Sequence, residues 1–231
     1  MKKSLTWIRR DLRLHDHYAL CESLKNSEAT YVAFIFDSLI LDKIPNRHDS
    51  RVTFIMDSLR EIEEELNKHG SSLIIRYGDP TVEIPKIVEE FGIEALFFNH
   101  DYEPYAKERD QKVEKTLTKK GVSVFHYKDH VFYEKKEVLT GLGEIYKVFT
   151  PYKTKWLEHF NNNEGQIPLY KCNLKNLAPY KNSKSLLVHD WFYEIGFVEN
   201  PSILKGGTKE ALARLNDFKK QISLYKESRD T

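Results

Sequence analysis

The 231-residue chain contains only two cysteines, Cys21 and Cys172, and almost no excess of charge. The cysteines are too far apart to form a local metal-binding or redox motif, so we expect two reduced thiols in a cytoplasmic protein. With 36 Lys and Arg against 35 Asp and Glu, the net charge of +1 gives no global basic surface for nucleic acid or anionic membrane. A local basic patch remains compatible with this balance.

Long apolar runs and the common nucleotide or protease motifs are also missing. The N-terminal MKKSLTWIRRD returns to charged residues too soon for a secretory signal or a membrane span, and we expect a soluble protein. GLGEIY, residues 141–146, has only the first two glycines of a dinucleotide fingerprint, so we interpret it as a turn. His126 and His130 are four residues apart but lack the glutamate of a metalloprotease motif, so we predict no metal site there.

The first half of the chain contains five short runs rich in β-branched and aromatic residues. The runs are SLTWI, TYVAFIF, SLIIRY, ALFFN and VSVFHY. They are continuous rather than alternating, which is typical of strands buried on both faces. Segments with helical periodicity separate them, the clearest over residues 49–69. We therefore predict an α/β fold, a Rossmann-like, doubly wound sheet of five parallel strands flanked by helices.

Two charge-rich segments follow strands of this predicted sheet. RRDLR follows the first strand and NHDYEPY the fourth, so both lie at the carboxyl edge, where such sheets bind ligands. The alternative is purely structural. Asp11 would pair locally with Arg10 and Arg13, and Asp101 and Glu103 would be favoured by the dipole of the following helix. The convergence of both segments at one edge favours a site.

Several motifs, taken in order, resemble the DNA photolyase/cryptochrome family. They are WIRRDLRLHDHYAL, RVTFIMDSLREIEEEL, GDP, NHDYEPYAKERD, YKVFTPYKTKW and GGTKEALARL. The resemblance extends over essentially the whole chain and is most specific to class I cyclobutane pyrimidine dimer photolyases. It implies an enzyme in which reduced FAD, excited by light, passes an electron to a pyrimidine dimer flipped out of UV-damaged DNA.

The resemblance also implies a domain organisation. Residues 1–133 would form the α/β antenna-chromophore domain, residues 134–205 the linker, and residues 206–231 the start of the helical FAD-binding domain. Most of the flavin site has no counterpart in this chain. Tyr225 alone aligns with a family FAD contact, so we expect a truncated protein without repair activity of its own.

The last predicted helix begins with a Thr208 cap and carries an apolar stripe. The stripe is formed by Leu212, Leu215, Phe218 and Ile222. Few of its intended partners are present, and a dimer would cover it. In the linker, Phe149, Tyr152 and Trp156 are expected to belong to a core.

For the antenna chromophore, the resemblance assigns a set of contacts at and near the carboxyl edge. They are Arg10, Asp11, Phe34, Ile35, Arg51, Asp101 and Glu103. Folate-binding relatives carry an Asn-Glu pair where this chain has Tyr105 and Ala106. We therefore expect a deazaflavin or flavin rather than methenyltetrahydrofolate. Two other functions stay open, a cryptochrome-type blue-light photoreceptor and a stand-alone nucleotide- or chromophore-binding module.

Overall fold

The computed structural model describes residues 1–162, 169–201 and 204–225. It contains a sheet of five parallel strands in the order β3-β2-β1-β4-β5. The strands are β1 (Lys3–Trp7), β2 (Ala29–Asp37), β3 (Leu73–Gly78), β4 (Ala95–Asn99) and β5 (Ser123–Tyr127). The predicted α/β fold and the five predicted strands are confirmed.

Helices connect the strands and continue after the sheet. They are α1 (Tyr18–Asn26), α2 (Ser38–Leu41), α3 (Ser50–Lys68), α4 (Pro80–Phe91), α5 (Pro104–Lys119), α6 (Phe149–Asn162), α7 (Trp191–Ile195) and α8 (Thr208–Lys219). The boundaries follow local chemistry. Asp79 accepts the Thr81 N–H at 2.8 Å ahead of a first-turn proline in α4. Gly92 ends that helix at φ +64°, a conformation that glycine adopts without strain.

Alternate residues of β2 pack on opposite faces of the sheet and divide the interior into two cores. Val32, Phe34 and Phe36 pack with α1 and α3, whereas Ala33 and Ile35 pack with α4 and α5. The layers of helices on the two faces of the sheet hold the carboxyl ends of β1 and β4 in fixed positions.

Strand β5 differs from the prediction of a strand buried on both faces. It lies at the edge of the sheet, paired only with β4 among the described strands. Ser123, Phe125 and His126 are exposed. Apolar composition predicted the strand itself, but its exposure depends on strand order, which the composition does not encode.

The segment after residue 168 packs along the core that contains α1 and α3. The Ala178 N–H donates to the Thr30 carbonyl at 2.8 Å, and Leu177 forms a single parallel bridge with Thr30. Further along, Trp191, Phe192 and Ile195 of α7 are buried in the same core. This part of the predicted linker therefore contributes directly to the α/β unit, and its apolar anchors are too irregularly spaced to give a periodic signal.

The expectation that the α6 aromatics belong to a core is wrong. No residue of α6 is buried, and the exposed fraction of Phe149 is 73%. Trp156 is half-buried and makes edge contacts with Phe132 and Tyr133 in the segment after β5. The aromatic residues of this region thus form a surface cluster. GLGEIY forms the predicted turn, in which the Gly143 N–H donates to the Thr140 carbonyl.

The expectation of two reduced thiols is also wrong. A disulfide joins Cys21 of α1 to Cys172, although 151 positions separate them in sequence. The bond fastens the segment after residue 168 to the α/β unit. Spacing motifs detect only cysteines that are close in sequence, so this pairing gave no signal.

Helix α8 is attached to α3 through its first turn. Gly207, not the expected Thr208, is the N-cap residue. Glu61 of α3 accepts the Thr208 N–H at 3.0 Å and the Lys209 N–H at 3.3 Å, which satisfies donors that a helix start leaves unpaired. The apolar stripe on α8 and the turn after it is exposed, with 51% exposure at Leu212. Within the described ranges, no helix combines the length and the apolar character needed to span a bilayer.

Candidate functional site

The carboxyl ends of β1 and β4 lie side by side at the point where the sheet changes direction. From β1 the chain proceeds to β2 and β3 on one side, and then returns to place β4 on the other side of β1. The loop after β1 leads to α1 on one face of the sheet and the loop after β4 leads to α5 on the other, and we call the position between the two loops the crevice. In open α/β sheets this switch point is the usual position of a ligand site.

The two loops meet through Arg10. Its Nη1 atom lies 3.3 Å from Asp101 Oδ1 and 3.5 Å from Glu103 Oε1. Arg10 and Glu103 are exposed, at 59% and 66% of their side-chain areas, while Asp101 is 8% exposed. We call these three residues the rim. Exposed ion pairs contribute little to stability, so a ligand can replace these contacts at little cost. The polar groups of the rim are therefore available for binding.

Asp11 lies beneath the rim and is buried. Its carboxylate accepts the Arg9 N–H at 2.8 Å and the Asn99 amide at 2.7 Å, and lies 2.9 Å from His17 Nε2. Burial by itself would raise the pKa of Asp11, but the interactions with His17 and Arg9 outweigh it and hold the pKa well below its usual range. The charged carboxylate thus fixes the loop after β1 against the end of β4.

The base of the crevice is a layer of stacked aromatic and guanidinium groups. The Arg9 guanidinium lies 4.7 Å from the Trp7 ring centre and 4.9 Å from that of Phe98. Arg109 lies 4.9 Å from the same Trp7 ring. Asp110 pairs with both arginines, at 2.6 Å from Arg9 Nη1 and 3.0 Å from Arg109 Nη2. Asp110 therefore offsets one of the two guanidinium charges in this layer.

Tyr105 and Asp37 extend this layer towards β2. The Tyr105 hydroxyl donates to Asp37 Oδ2 at 2.8 Å, and Arg109 Nη1 lies 3.4 Å from the same oxygen. Burial and the hydrogen bond to Asp37 raise the pKa of Tyr105 well above its usual range, so its hydroxyl stays protonated. Tyr105 is one of the two residues that stand where folate-binding relatives carry an Asn-Glu pair. In this chain its hydroxyl is hydrogen-bonded to Asp37.

The local ion-pair network expected within RRDLR does not form. Arg13 reaches across the fold to Asp129 at 2.7 Å, and Asp11 pairs with His17 rather than with either neighbouring arginine. The structural alternative placed Glu103 at a helix N-terminus, and only this position is confirmed. Glu103 is the N-cap residue of α5, but its side chain makes no capping hydrogen bond.

The remaining predicted site residues lie outside the rim. Phe34 and Ile35 are 7% and 5% exposed and belong to the two cores, so they can shape the site only from below. Arg51 lies in the first turn of α3 and pairs with Asp49 at 2.6 Å. Tyr225 follows the short 3-10 helix after α8, is half-exposed and contacts Phe218.

A pocket of about 270 Å³ opens beside the rim, between α5 and the ends of β4 and β5. Its lining residues are Phe98, His100, Asp101, Tyr102, Lys107, Asp110, Gln111, Glu114, His126 and Lys135. Asp101 belongs to both the rim and this pocket. The two features therefore form one continuous polar surface.

Sequence reasoning did not assign Trp7, Arg9, Arg109 or Asp110 to the site. One signal was present, since Arg109 is four residues after Tyr105 in α5 and so lies on the same face of that helix. The stacking of Arg9 on Trp7 had no such signal, because it depends on how side chains pack across neighbouring strands.

A family model described as DNA photolyase matches residues 4–171. The chain belongs to the DNA photolyase family. The matched range includes both loops of the rim and the whole sheet except Lys3. The confirmed family membership agrees with the resemblance that the sequence motifs indicated.

Relatives with curated names support the same assignment. A deoxyribodipyrimidine photo-lyase from Synechococcus sp. is 31% identical over 223 residues, which cover 93% of this chain and 44% of the relative. The chain spans about half the length of the curated relatives it matches.

Solved structures of the family share the fold. A cryptochrome from Synechocystis sp. PCC6803 has a TM-score of 0.82 at 21% identity, covering 99% of this chain and 49% of that one. A photolyase from Sulfolobus tokodaii has a TM-score of 0.66 at 25% identity, covering 91% of this chain and 45% of that one. The Sulfolobus structure contains two FAD molecules and implies a novel light-harvesting cofactor in that protein.

Proposed function

We propose that this chain is the light-harvesting region of a deoxyribodipyrimidine photolyase. The observation that supports this most strongly is the meeting of Arg10 with Asp101 and Glu103 across the switch point of the sheet. An antenna chromophore absorbs light and passes on excitation energy without any change in its bonds. Its site therefore needs a fixed shape and orienting polar groups, and the rim above the stacked arginine layer supplies both.

The chemistry of the rim fits a flavin or deazaflavin. The Arg10 guanidinium would donate to ring carbonyl or phosphate oxygens, and the carboxylates of Asp101 and Glu103 would accept from ring N–H or hydroxyl groups. Asp11 would hold the loop, while Phe34 and Ile35 would support the site from the core. We place Arg51 among the outer contacts. The second FAD of the Sulfolobus photolyase supports a flavin in this role.

Repair itself would require the helical FAD-binding domain. We propose the division into residues 1–133, 134–205 and 206–231, with Tyr225 as an FAD contact at the start of that domain. In the whole protein, reduced FAD supplies the electron that splits a pyrimidine dimer in UV-damaged DNA. The residues of this chain would bind and orient the antenna and attach the first helix of the catalytic domain.

Direct titration tests the antenna role. The chain is mixed in turn with FMN, FAD, an 8-hydroxy-5-deazaflavin and methenyltetrahydrofolate, and binding is followed by absorbance and fluorescence anisotropy. We expect saturable binding of a flavin or deazaflavin and none of the folate. Arg10→Ala and Asp101→Ala should weaken binding at least tenfold.

The control is Arg60→Ala, because Arg60 is a surface residue of α3 that pairs with Glu199. This variant should bind like the unaltered chain. Failure of all four compounds to bind, or equal losses in the Arg10 and Arg60 variants, would refute the antenna site.

A repair assay on the product of the complete gene tests the enzymatic assignment separately. Photolyase activity requires blue-light-dependent splitting of dimers in irradiated DNA. Normal chromophore binding without repair would instead favour the cryptochrome-type photoreceptor, whose fold this chain shares.

A further inference from the structure

Two histidines meet at the end of β4 and β5. Phe98 of β4 pairs in register with His126 of β5, and His100 follows Phe98 by two residues, so both histidines project from the same face of the sheet. His100 Nε2 lies 2.6 Å from His126 Nδ1. The i, i+4 spacing of His126 and His130 predicted no metal site, whereas strand pairing places His100 beside His126.

A carboxylate fixes the orientation of the first histidine. His100 Nδ1 lies 2.8 Å from Glu134 Oε2, and the Tyr102 hydroxyl donates to the same oxygen at 2.7 Å. Glu134 can only accept from the ring, so the hydrogen of His100 is held on Nδ1 and the lone pair on Nε2 points at His126. A carboxylate behind a neutral imidazole is the usual support of a histidine metal ligand.

We propose that His100 Nε2 and His126 Nδ1 bind a divalent first-row transition-metal ion such as Zn²⁺ or Ni²⁺, with water completing its coordination. Without metal, the His126 Nδ1–H donates to His100 Nε2. Metal binding displaces this hydrogen bond, and His126 then carries its hydrogen on Nε2. Metal–nitrogen distances of about 2.0–2.1 Å place two tetrahedral ligands about 3.3 Å apart, so the rings must separate by less than ~1 Å.

The surroundings permit this movement. His126 is exposed on the edge strand, and the pocket of about 270 Å³ that both histidines line leaves room for water ligands. The pocket lining carries three carboxylates, those of Asp101, Asp110 and Glu114, against the two ammonium groups of Lys107 and Lys135. Asp101 and Asp110 are already paired with arginines, so the negative charge in direct contact with the histidine pair is that of Glu134, 2.8 Å from His100 Nδ1.

A second cluster competes as a metal site. Asp11, Asp129 and His130 place potential ligand atoms within 4.8 Å of one another. Their carboxylates already have strong partners, since Arg13 lies 2.7 Å from Asp129 and His17 lies 2.9 Å from Asp11. A metal ion there would have to displace the Arg13–Asp129 ion pair and the buried contact between Asp11 and His17, which disfavours this cluster.

Calorimetric titration of the untagged chain with ZnCl₂, and separately with NiCl₂, tests the proposal. We expect one saturable site per chain. His126→Ala should weaken binding at least tenfold, and Glu134→Gln, which keeps a hydrogen-bond acceptor behind His100, should weaken it about 10- to 100-fold. Circular dichroism of each variant verifies that it folds, and exposed His126 is the substitution least able to disturb folding.

His130→Ala is the matched control, because it removes a ligand of the competing cluster and leaves His100 and His126 in place. Affinity unchanged in His130→Ala but lost in His126→Ala supports the site. The reverse pattern assigns the metal to Asp11, Asp129 and His130 and overturns the proposal, as does the absence of saturable binding. Neither result depends on the chromophore, so this test stands apart from the proposed function.

Discussion

Asp11 Oδ2 lies 2.9 Å from His17 Nε2, and both side chains are almost completely buried. The pair joins the loop after β1 to the start of α1, where His17 Nδ1 also accepts the Leu20 N–H at 3.1 Å. The same carboxylate is bonded to Asn99 at the end of β4. One buried charge therefore connects both loops that carry the rim.

Substitution of Asp11 should destabilise the fold. Asp11→Asn replaces the buried carboxylate oxygen that lies 2.9 Å from His17 Nε2, and loss of a hydrogen bond to a charged group costs about 1.5–3 kcal/mol. Urea unfolding at pH 7 measures the loss. Asp217→Asn is the control, because Asp217 forms an exposed pair with Lys220 and its loss should change the free energy of unfolding by less than about 0.5 kcal/mol.

The same residue should shape the acid limb of the stability profile. Its pKa is lowered on folding, so its contribution is fully present above the unfolded value of 3.8 and declines as the pH falls below that value. Unfolding free energies measured from pH 7 down to pH 2.5 should fall less steeply below pH 3.8 in Asp11→Asn than in the unaltered chain. Parallel curves for the two proteins would contradict a lowered pKa for Asp11.

The disulfide should contribute strongly to stability. A bond that closes a loop of this length, with 151 positions between Cys21 and Cys172, restricts the unfolded chain by up to about 5 kcal/mol in the loop-entropy description. Reduction, or Cys172→Ser, should lower the unfolding free energy and expose the segment after residue 168 to proteases. Because the chain has no other cysteine, reductant should not further destabilise the Cys21→Ser, Cys172→Ser double variant.

Local chemistry predicted much of the fold. The Asp79 cap with its first-turn proline and the Gly92 stop are local signals that bound α4, and the five apolar runs became the five strands. These features depend on residues close in sequence. The convergence of Arg10 and Asp101 was also predictable, because parallel strands bring their carboxyl ends to one edge.

The features that escaped prediction depend on contacts between distant residues. The exposure of β5 follows from strand order, the Cys21–Cys172 bond from the path of the segment after residue 168, and the His100–His126 contact from strand register. The expected partner of Asp11 was wrong for the same reason. The local choice was a neighbouring arginine, while the folded chain supplies His17.

Tyr105 should stabilise the base of the crevice through its hydroxyl. Tyr105→Phe removes a 2.8 Å hydrogen bond to Asp37, a nearly buried carboxylate whose remaining partners are the Leu39 N–H at 3.0 Å and Arg109 Nη1 at 3.4 Å. We expect a loss of about 1–3 kcal/mol in unfolding free energy. Tyr193→Phe is the control, since Tyr193 is 86% exposed and should change stability by less than about 0.5 kcal/mol. Equal stability of Tyr105→Phe and the unaltered chain would show that the Asp37 bond contributes nothing.

Gly206 should control the attachment of α8 to α3. A Cβ atom at this position would lie 2.0 Å from the Phe54 carbonyl oxygen and 2.6 Å from Ser58 Oγ, so Gly206→Ala must push the chain away from α3. The bonds from Glu61 to the first turn of α8 would then be lost, and α8 should become accessible to proteases and exchange its amide hydrogens faster. Gly141→Ala is the matched control, because its Cβ would meet no atom within 4 Å. Equal protection of α8 in the two variants would show that this close approach does not hold the helix in place.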